Sequence, residues 1–559
     1  MKKLFITLFF FNIVSVYSQM ELVPPSHPVY DFLKRMQLSD FIPDYNSSDI
    51  PISRAAVASY LISIEQKRSL LNSIDKGLLD DYLVEFEYDV RGKLNKSHTL
   101  FKDFKVKEIF SDRQKYLYSY VDSNATIFFD VQGYISQRNS VGDSLKTNNI
   151  TLGELGVRVR GTLIKNVGYY LRMSNGQKLI GDTNGINMSI MTYPKLKANT
   201  KYKYEQNNFD TYEGYLRYAT QNEWVSIIVG KEALLTGFGY IDKLFFSDNT
   251  VPFSYLKIGL KYKALSYYFL YGSLKGDSMG IDLSSKNIAS HRLNINFSDY
   301  FKMGFFESII IPEQPFNFTF LNPLSFLRSA DYNSGENMPK NKNNALMGID
   351  FEIVPTNKLS FQGSLLIDDL NFSTLFNNKK GNRPANDNRF GVQLGLLWVD
   401  AFTIPATSLA IEYTRLDPFV YSHRTNKSQY TNWSLPLGHN LSPNSDEIAV
   451  KINSYIYKRL NFSLLYQYQR SGTGIIYHGD TLIANYGNDI NRGDGDLLNE
   501  NIFLNGNRIN RHIVTFNLTF QPIRQYFIEL KYQYRITDFS YLNKKYKDSF
   551  VFFTVRVDY

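Results

Sequence analysis

The sequence has no cysteine and only three tryptophans among 559 residues. The absence of cysteine excludes disulfides, thiol catalysis, Cys-based zinc sites and a lipid-modified cysteine after an export signal. Beyond residue 18, no stretch approaches the roughly 18–20 apolar residues that a membrane-spanning helix needs. The chain is therefore predicted to contain no transmembrane helix.

Catalytic and metal-binding motifs are scarce as well. No GxSxG, HExxH or P-loop pattern accompanies any of the seven histidines. Residues 489–500 resemble a calcium loop at the first, third and twelfth positions, but Gly493 occupies a ligand position and Asp494 the position of the turn glycine. We predict no enzyme, no cofactor and no metal site, with a hydrolase centred on His423 or His439 as a lesser alternative.

The first 18 residues have the pattern of a secretory signal peptide. Lys2 and Lys3 precede an apolar run at 4–16, and a small residue stands before Gln19. Export makes a nucleic-acid partner an unsuitable explanation for the net charge of +9. The basic excess indicates either ordinary solubility or an anionic ligand or surface.

Residues 19–92 follow a helical period. Ser26 and Ser53 are predicted to cap two short amphipathic helices and Ser73 to open a third, each with apolar residues at intervals of three and four. We expect a small periplasmic helical bundle that acts as a cap or docking module rather than as a plug. A connector at 93–123 follows it.

From residue 124 to 559 the hydrophobic period changes to two, which is typical of strands with one apolar and one polar face. The last strand, 548–559, ends on the aromatic residue Tyr559. The eighteen predicted strands are 125–136, 151–163, 167–174, 211–221, 223–230, 252–262, 264–273, 288–298, 300–310, 345–355, 357–367, 389–399, 405–415, 446–457, 459–470, 510–521, 524–536 and 548–559. Pairing of the last strand with the first would close an antiparallel transmembrane barrel and remove the exposed edges.

The connections between these strands alternate in length. Short turns such as 165–166 and 298–299 alternate with long polar loops such as 311–344 and 416–445. This sidedness is typical of bacterial outer-membrane barrels, whose short turns lie in the periplasm. We therefore predict an outer-membrane location, contact with outer-membrane lipid and lipopolysaccharide, and recognition of the closing strand by the barrel-insertion machinery.

A barrel of about 18 strands is wide enough to enclose water unless something fills it. The predicted inward faces carry more basic than acidic residues, which would concentrate anions, although pairing across the lumen explains most of these charges equally well. The basic residues predicted in the lumen are Arg158, Arg160, Arg217, Lys257, Lys261, Arg292, Lys531, Arg535 and Arg556.

Several passages, in their order along the chain, resemble the capsule-assembly Wzi family of outer-membrane proteins, in its Bacteroidetes-like branch. They are residues 23–33 (VPPSHPVYDFL), 318–329 (FTFLNPLSFLRS), 412–423 (EYTRLDPFVYSH) and 437–447 (LGHNLSPNSDE). The resemblance implies an occluded eighteen-stranded barrel with a periplasmic helical bundle. It also implies a lectin that tethers capsular or exopolysaccharide at the cell surface.

Sugar-binding sites combine an aromatic ring with polar groups that take hydroxyls. The long loops offer two such sets, although the same aromatics could instead pack the loops together. The candidate glycan-binding residues are Tyr421, His423, Arg424 and Trp433 in one loop and Arg328 and Tyr332 in another. An outer-membrane porin or solute transporter is the alternative function.

Overall fold

A computed structural model describes residues 19–102, 104–145, 147–181, 188–189, 195–196, 208–276, 285–313, 318–333, 343–375, 379–380, 383–384, 388–423, 427–479, 481–493 and 502–559. The predicted strands all form, and they close into one antiparallel barrel. The last strand pairs with the first from Asp548 opposite Gly142 to Asp558 opposite Gln132. The predicted fold is therefore confirmed.

The barrel strands are numbered here in chain order. They are β1 Thr126–Gly142, β2 Asn148–Leu163, β3 Val167–Gly181, β4 Asn208–Ala219, β5 Val225–Glu232, β6 Phe253–Tyr262, β7 Leu265–Lys275, β8 Ser285–Ser298, β9 Phe301–Pro312, β10 Asn344–Thr356, β11 Leu359–Asp369, β12 Arg389–Val399, β13 Thr407–Leu416, β14 Ser445–Tyr457, β15 Leu460–Thr473, β16 Asn507–Ile523, β17 Tyr526–Phe539 and β18 Lys544–Asp558. A further short strand, Tyr118–Val121, lies beside β1.

The remaining elements are short. Two-stranded ladders join Asp49–Ile50 to Leu235–Thr236, Ser97–Thr99 to Gln114–Tyr116, Lys379–Lys380 to Arg383–Pro384, Thr431–Asn432 to Leu435–Pro436, and Ile475–His478 to Thr481–Asn485. Short helices lie at Arg68–Leu70, Val106–Ile109, Phe318–Leu321, Leu327–Asn333, Phe372–Leu375, Ala401–Thr403 and Ser540–Leu542. In the described part of the chain, no helix combines the length and apolar character needed to cross a membrane.

The N-terminal region forms a helical bundle made of α1 Val29–Leu38, α2 Arg54–Gln66, α3 Ser73–Glu85 and α4 Glu87–Arg91. Ser53 caps α2 as predicted, because its side chain accepts the backbone N–H of Ala56. Ser73 opens α3 as predicted, and Asn72 caps that helix. The predicted cap Ser26 is wrong, because α1 follows Pro28 without a side-chain cap.

The bundle has its own apolar core and an internal ion network. Its core includes Val29, Phe32, Leu61 and Leu79, all of which are buried. Burial disfavours the charge of Glu85, but His27 and Arg54 hold the pKa of that carboxyl at about 2. The region is therefore a compact unit in its own right.

This bundle contacts the short-turn end of the barrel at points around its circumference. Asp81 of α3 accepts hydrogen bonds from Arg459 at 3.1 Å and Arg524 at 2.7 Å, on two different turns. On the other side, Lys34 of α1 pairs with Glu352 of β10, and the backbone N–H of Met20 donates to Thr162 of β2 at 2.8 Å. The bundle thus docks on the barrel and also covers its short-turn end.

The contact of Asp81 with two arginines predicts that Asp81→Asn loosens the bundle. Charge-assisted hydrogen bonds contribute about 1.5–3 kcal/mol each, so proteolytic cleavage within residues 19–92 of the folded chain should accelerate at least about tenfold. Asp80→Asn is the matched control, because Asp80 pairs with Arg68 inside the bundle and not with the barrel. Equal cleavage rates for the two variants would contradict this role of Asp81.

Candidate functional site

The loop between β5 and β6, residues 233–252, folds into the barrel. Its aromatic residues Phe238, Phe245 and Phe246 are almost completely buried. Phe245 stacks on Phe306 of β9 with ring centroids 4.6 Å apart. We call residues 233–252 the inserted loop.

Carboxylates on the inner wall hold the backbone of the inserted loop. Asp350 of β10 accepts the N–H of Phe238 at 3.0 Å and pairs with the fully buried Arg292 at 2.6 Å. Glu412 of β13 accepts the N–H groups of Tyr240 at 2.9 Å and Asp242 at 3.2 Å. Because ionised acceptors make the stronger hydrogen bonds, the wall charges are used to fix this loop.

The inserted loop meets the N-terminal region inside the lumen. Asp49 lies opposite Thr236 and Ile50 opposite Leu235 in a two-residue ladder. The N–H of Gly237 donates to the carbonyl of Ser48 at 2.8 Å. The N-terminal region enters the lumen from the short-turn end, and the inserted loop enters it from the long-loop end. The two segments are therefore hydrogen-bonded to each other inside the barrel.

A second long loop, residues 417–444, packs on the inserted loop from the outer side. The hydroxyl of Tyr421 donates to the carbonyl of Leu244 at 2.6 Å, and that of Tyr430 donates to the carbonyl of Phe245 at 3.1 Å. The two tyrosine rings stack with centroids 5.5 Å apart. A continuous column of packed chain therefore runs from the bundle to this loop.

The inner wall of β16–β18 and β1 carries a group of cations and aromatic rings, which we call the basic strip. It consists of Arg138, Arg511, Lys531 and Arg535 with Phe550 and Phe552. The Arg138 guanidinium lies 5.1 Å from the Phe552 ring centroid and the Lys531 ammonium 5.7 Å from it, while Arg535 lies 5.3 Å from that of Phe550. Such cation–ring contacts orient the cations but leave their charge available.

Two cations of the basic strip, Lys531 and Arg511, form no ion pair within the ranges that the structure describes. Both side chains are half-buried. Polar side chains that can exchange hydrogen bonds with a ligand lie beside them on the same wall: Gln467, Gln469, Thr515 and Gln533. The strip therefore has the chemistry of an anion site with hydroxyl-binding partners around it.

Most of the predicted lumen cations have partners, as the alternative of internal pairing predicted. Only Lys261, which is exposed near a short turn, and Lys531 lack a carboxylate or carbonyl partner within the described residues. The pairs are Arg158 with Asp130 and Asp558, Arg160 with Glu21, Arg217 with Glu223 and the Met20 carbonyl, Lys257 with Asp49, Arg292 with Asp350, Arg535 with Asp548, and Arg556 with Glu529.

The structure does not bring the glycan candidates from the two loops together. Tyr421 is fully buried in the column, so its ring is not available to a sugar, whereas His423 and Trp433 are half-buried at the outer surface. Arg328 and Tyr332 contact each other on a different part of the barrel, with the guanidinium donating to the tyrosine hydroxyl at 3.0 Å. Arg424 lies outside the described residues.

Sequence reasoning missed Arg138 and Arg511. The predicted first strand ended at 136, because residues 137–142 are mostly polar and carry no alternation. In the structure β1 continues to Gly142. Arg511 lies on the polar face of a strand that was predicted, opposite Thr537, and Arg535 lies on the same face of the neighbouring strand.

Of the two histidines named for a hydrolase, His439 is buried and His423 is half-buried. His439 is buried, and its Nδ1 accepts the N–H of Leu441 at 3.0 Å while Asp242 lies 3.8 Å away, which is a loop-holding arrangement. Among the described residues, no group of three or more His, Asp or Glu side chains could hold a metal ion. Residues 494–500 of the calcium-like segment lie outside the described residues.

The column and the bundle predict that the intact protein shows no steady conductance in a planar bilayer. A chain lacking residues 19–92 and carrying a short Gly-Ser linker in place of 238–247 should conduct, because an unfilled barrel of this width encloses water. The variant with only the linker is the control and should stay closed, since the bundle still covers the short-turn end. A steady open channel in the intact protein would contradict the occlusion.

Comparison with known proteins supports this architecture. A family model described as capsule assembly protein Wzi matches residues 156–534. Wzi of Escherichia coli, described as an outer-membrane protein involved in group 1 capsule assembly and as a carbohydrate-binding β-barrel, aligns over 96% of this chain and 99% of its own, with a TM-score of 0.55 and 13% identity.

Two Pseudomonas aeruginosa outer-membrane proteins align less well. OprD aligns over 77% of this chain and 95% of its own, with a TM-score of 0.42 and 8% identity. OpdK aligns over 79% and 100%, with a TM-score of 0.45 and 9% identity. No curated protein matches the sequence. Because the family model covers well over half of a chain that folds as a closed barrel, this outer-membrane protein belongs to the capsule assembly protein Wzi family.

Proposed function

We propose that the protein is a non-enzymatic lectin of the outer membrane that binds an acidic capsular polysaccharide or exopolysaccharide. The observation that carries the proposal is the pair Arg511 and Lys531, which are half-buried cations in the barrel interior without an ion pair in the described residues. The carbohydrate binding described for Escherichia coli Wzi, in the same family, supports the same class of ligand.

The basic strip matches the chemistry of an acidic sugar chain. Arg and Lys bind carboxylates through charge-assisted hydrogen bonds, which are about twice as strong as neutral ones. The neighbouring amides of Gln467 and Gln469 already donate to Glu447, at 2.9 and 2.6 Å, and can exchange these bonds for sugar hydroxyls. His423 and Trp433 remain candidates for a second contact at the outer surface.

The orientation belongs to the same proposal. The short turns and the bundle at 19–92 lie in the periplasm, after cleavage of a signal peptide at 1–18, and the connector at 93–123 leads to the barrel at 124–559. The long loops and the outer end of the basic strip then face the cell exterior, where polysaccharide is held. Lipopolysaccharide and the barrel-insertion machinery are the other expected partners.

Two alternatives fit less well. A porin or solute transporter needs an open path, whereas the inserted loop and the N-terminal region are hydrogen-bonded to each other inside the lumen. A hydrolase centred on His439 needs substrate to reach that residue, whereas His439 is buried and occupied with loop contacts. Retention without turnover is therefore the function we propose.

The binding test uses polygalacturonate as an acidic polysaccharide and dextran as a neutral one. The purified protein should bind polygalacturonate, with an affinity that falls as salt rises, and should not bind dextran. Arg511→Ala combined with Lys531→Ala should weaken binding at least about tenfold, because hydrogen bonds to charged groups contribute about 1.5–3 kcal/mol each.

The matched control is Lys358→Ala combined with Lys261→Ala, which removes two cations near the short-turn end. The control should bind like the unaltered protein. Equal affinity of all three proteins for polygalacturonate would refute the assignment of the basic strip. In cells that lack the protein, the ratio of shed to cell-bound polysaccharide should rise, and an unchanged ratio would refute tethering.

A further inference from the structure

The outer wall of the barrel at β7–β9 carries three polar side chains where the membrane predicts apolar ones. Phe306 of β9 faces the lumen, because it stacks on the inserted loop, and Arg292 lies opposite it on β8. Side chains alternate along a strand, so the neighbouring residues His291 and Glu307 face outwards. Their outward-facing neighbours along the same strands are apolar: Ala289, Leu293 and Ile295 on β8, and Phe305, Ile309 and Ile311 on β9.

These polar groups are bonded to one another. His291 Nε2 lies 2.7 Å from Glu307 Oε2, and the hydroxyl of Tyr267 on β7 lies 3.1 Å from His291 Nδ1. Glu307 is the seventh of twelve residues in β9, and about 9–11 tilted residues suffice to cross a bilayer. The cluster therefore lies at the depth of the acyl chains, where unsatisfied polar groups are costly.

A segment of the long loop after β9 covers this cluster from outside. Glu307 accepts the N–H of Leu327 at 3.0 Å and that of Arg328 at 2.8 Å, the first two residues of the helix Leu327–Asn333. Tyr267 donates its hydroxyl to the carbonyl of Pro323. We call residues 318–333 the outer-wall segment. Its backbone groups form hydrogen bonds with the polar side chains of the wall, and these bonds supply acceptors for the first amides of its helix.

The segment is also seated on the wall by apolar contacts. Phe320 and Leu327 pack against Phe269, Ile309 and Ile311, all of which are buried although they lie on the outward face. At its end, Asp331 accepts a hydrogen bond from Asn343 at 2.6 Å, next to the start of β10. The helix therefore rises along the outside of the barrel from mid-wall to the long-loop end.

The other side of the outer-wall segment is apolar and uncovered. Phe318, Leu324 and Phe326 are exposed by 78%, 82% and 74%. They continue the apolar outer surface formed by Phe305 and Met347, which flank Glu307 and are also exposed. In water this surface would be unfavourable by about 25 cal/mol for every Å² exposed, whereas in hydrocarbon it carries no such cost.

We propose that the outer-wall segment is embedded in the outer leaflet, with Phe318, Leu324 and Phe326 in contact with lipid acyl chains. The Tyr267–His291–Glu307 cluster is the latch that holds the segment to the wall. Arg328 and Tyr332, at the end that rises towards the long loops, reach the lipid head groups, as long cationic and aromatic side chains do at membrane interfaces. These two residues then contact lipid and not polysaccharide, and the proposal is independent of the lectin function.

The test of the location uses the absence of native cysteine, which lets a single nitroxide report without background. The full chain is reconstituted in dioleoylphosphatidylcholine vesicles with a label at Leu324→Cys. The label should collide with oxygen more than with a water-soluble nickel complex, like a label at Leu394→Cys on the outward face of β12. A label at Ile476→Cys, on a hairpin beyond the barrel, should show the opposite preference. If the label at position 324 behaves like that at 476, the segment is not in lipid and the proposal fails.

The latch is tested by the mobility of the same label. Glu307→Ala removes the acceptor for two helix amides and for His291, so the spectrum of the label at 324 should show increased mobility. Glu313→Ala is the matched control, since Glu313 pairs with Lys427 and not with the outer-wall segment. Unchanged mobility in the Glu307 variant would refute the latch, and immobilisation of the label by added polygalacturonate would refute lipid as the occupant. Heat-dependent gel migration verifies that each barrel is folded, and the label in the otherwise unaltered chain tests the location without the Glu307 change.

Discussion

The structure depends on carboxylates of the inner wall that accept backbone amides of the chain within the barrel. Asp350 and Glu412 bind the N–H groups of the inserted loop. A backbone N–H donates a hydrogen bond whatever side chain its residue carries, so the side chains of the inserted loop can be aromatic and pack together. Phe238, Phe245 and Phe246 therefore supply a core while the wall supplies the charges that fix the backbone.

This arrangement divides the interior into two unlike halves. Along β8–β13, Arg292, Asp350, Glu352 and Glu412 are bonded to the inserted loop, to the bundle or to each other. Along β15–β18 and β1, polar and cationic side chains remain half-buried on the wall. The same excess of basic residues thus stabilises the fold on one side, whereas Arg511 and Lys531 on the other side have no ion pair among the described residues.

The eighteen strands could be read from the sequence because the membrane imposes an alternation of apolar and polar residues along each one. The alternation stops where a strand leaves the membrane, and this is why the extension of β1 to Gly142 and the role of Arg138 were not found. The interior pairing of Arg160 with Glu21 joins residues 139 positions apart, and no local pattern identifies such a partner.

Two departures from the expected pattern of apolar and polar residues coincide with unusual loop positions in the structure. Leu244, Phe245 and Phe246 form an apolar run inside a long loop, which is consistent with the burial of that loop. His291 and Glu307 interrupt otherwise apolar outward faces, and the structure places a covering segment over them. In both cases the exception to the pattern marked the place where a loop departs from the usual position above the barrel.

The ladder between Asp49–Ile50 and Leu235–Thr236 has a consequence for the order of assembly. One of its strands belongs to a bundle with its own core, and the other to a loop that enters the lumen from the opposite end. The barrel between them closes only when β18 meets β1, strands whose paired residues stand more than 400 positions apart. Pairings so distant in sequence form slowly. The ladder can therefore be complete only in a molecule whose bundle, barrel wall and inserted loop are all in place. Its presence distinguishes a fully assembled molecule from a barrel in which only the wall has closed.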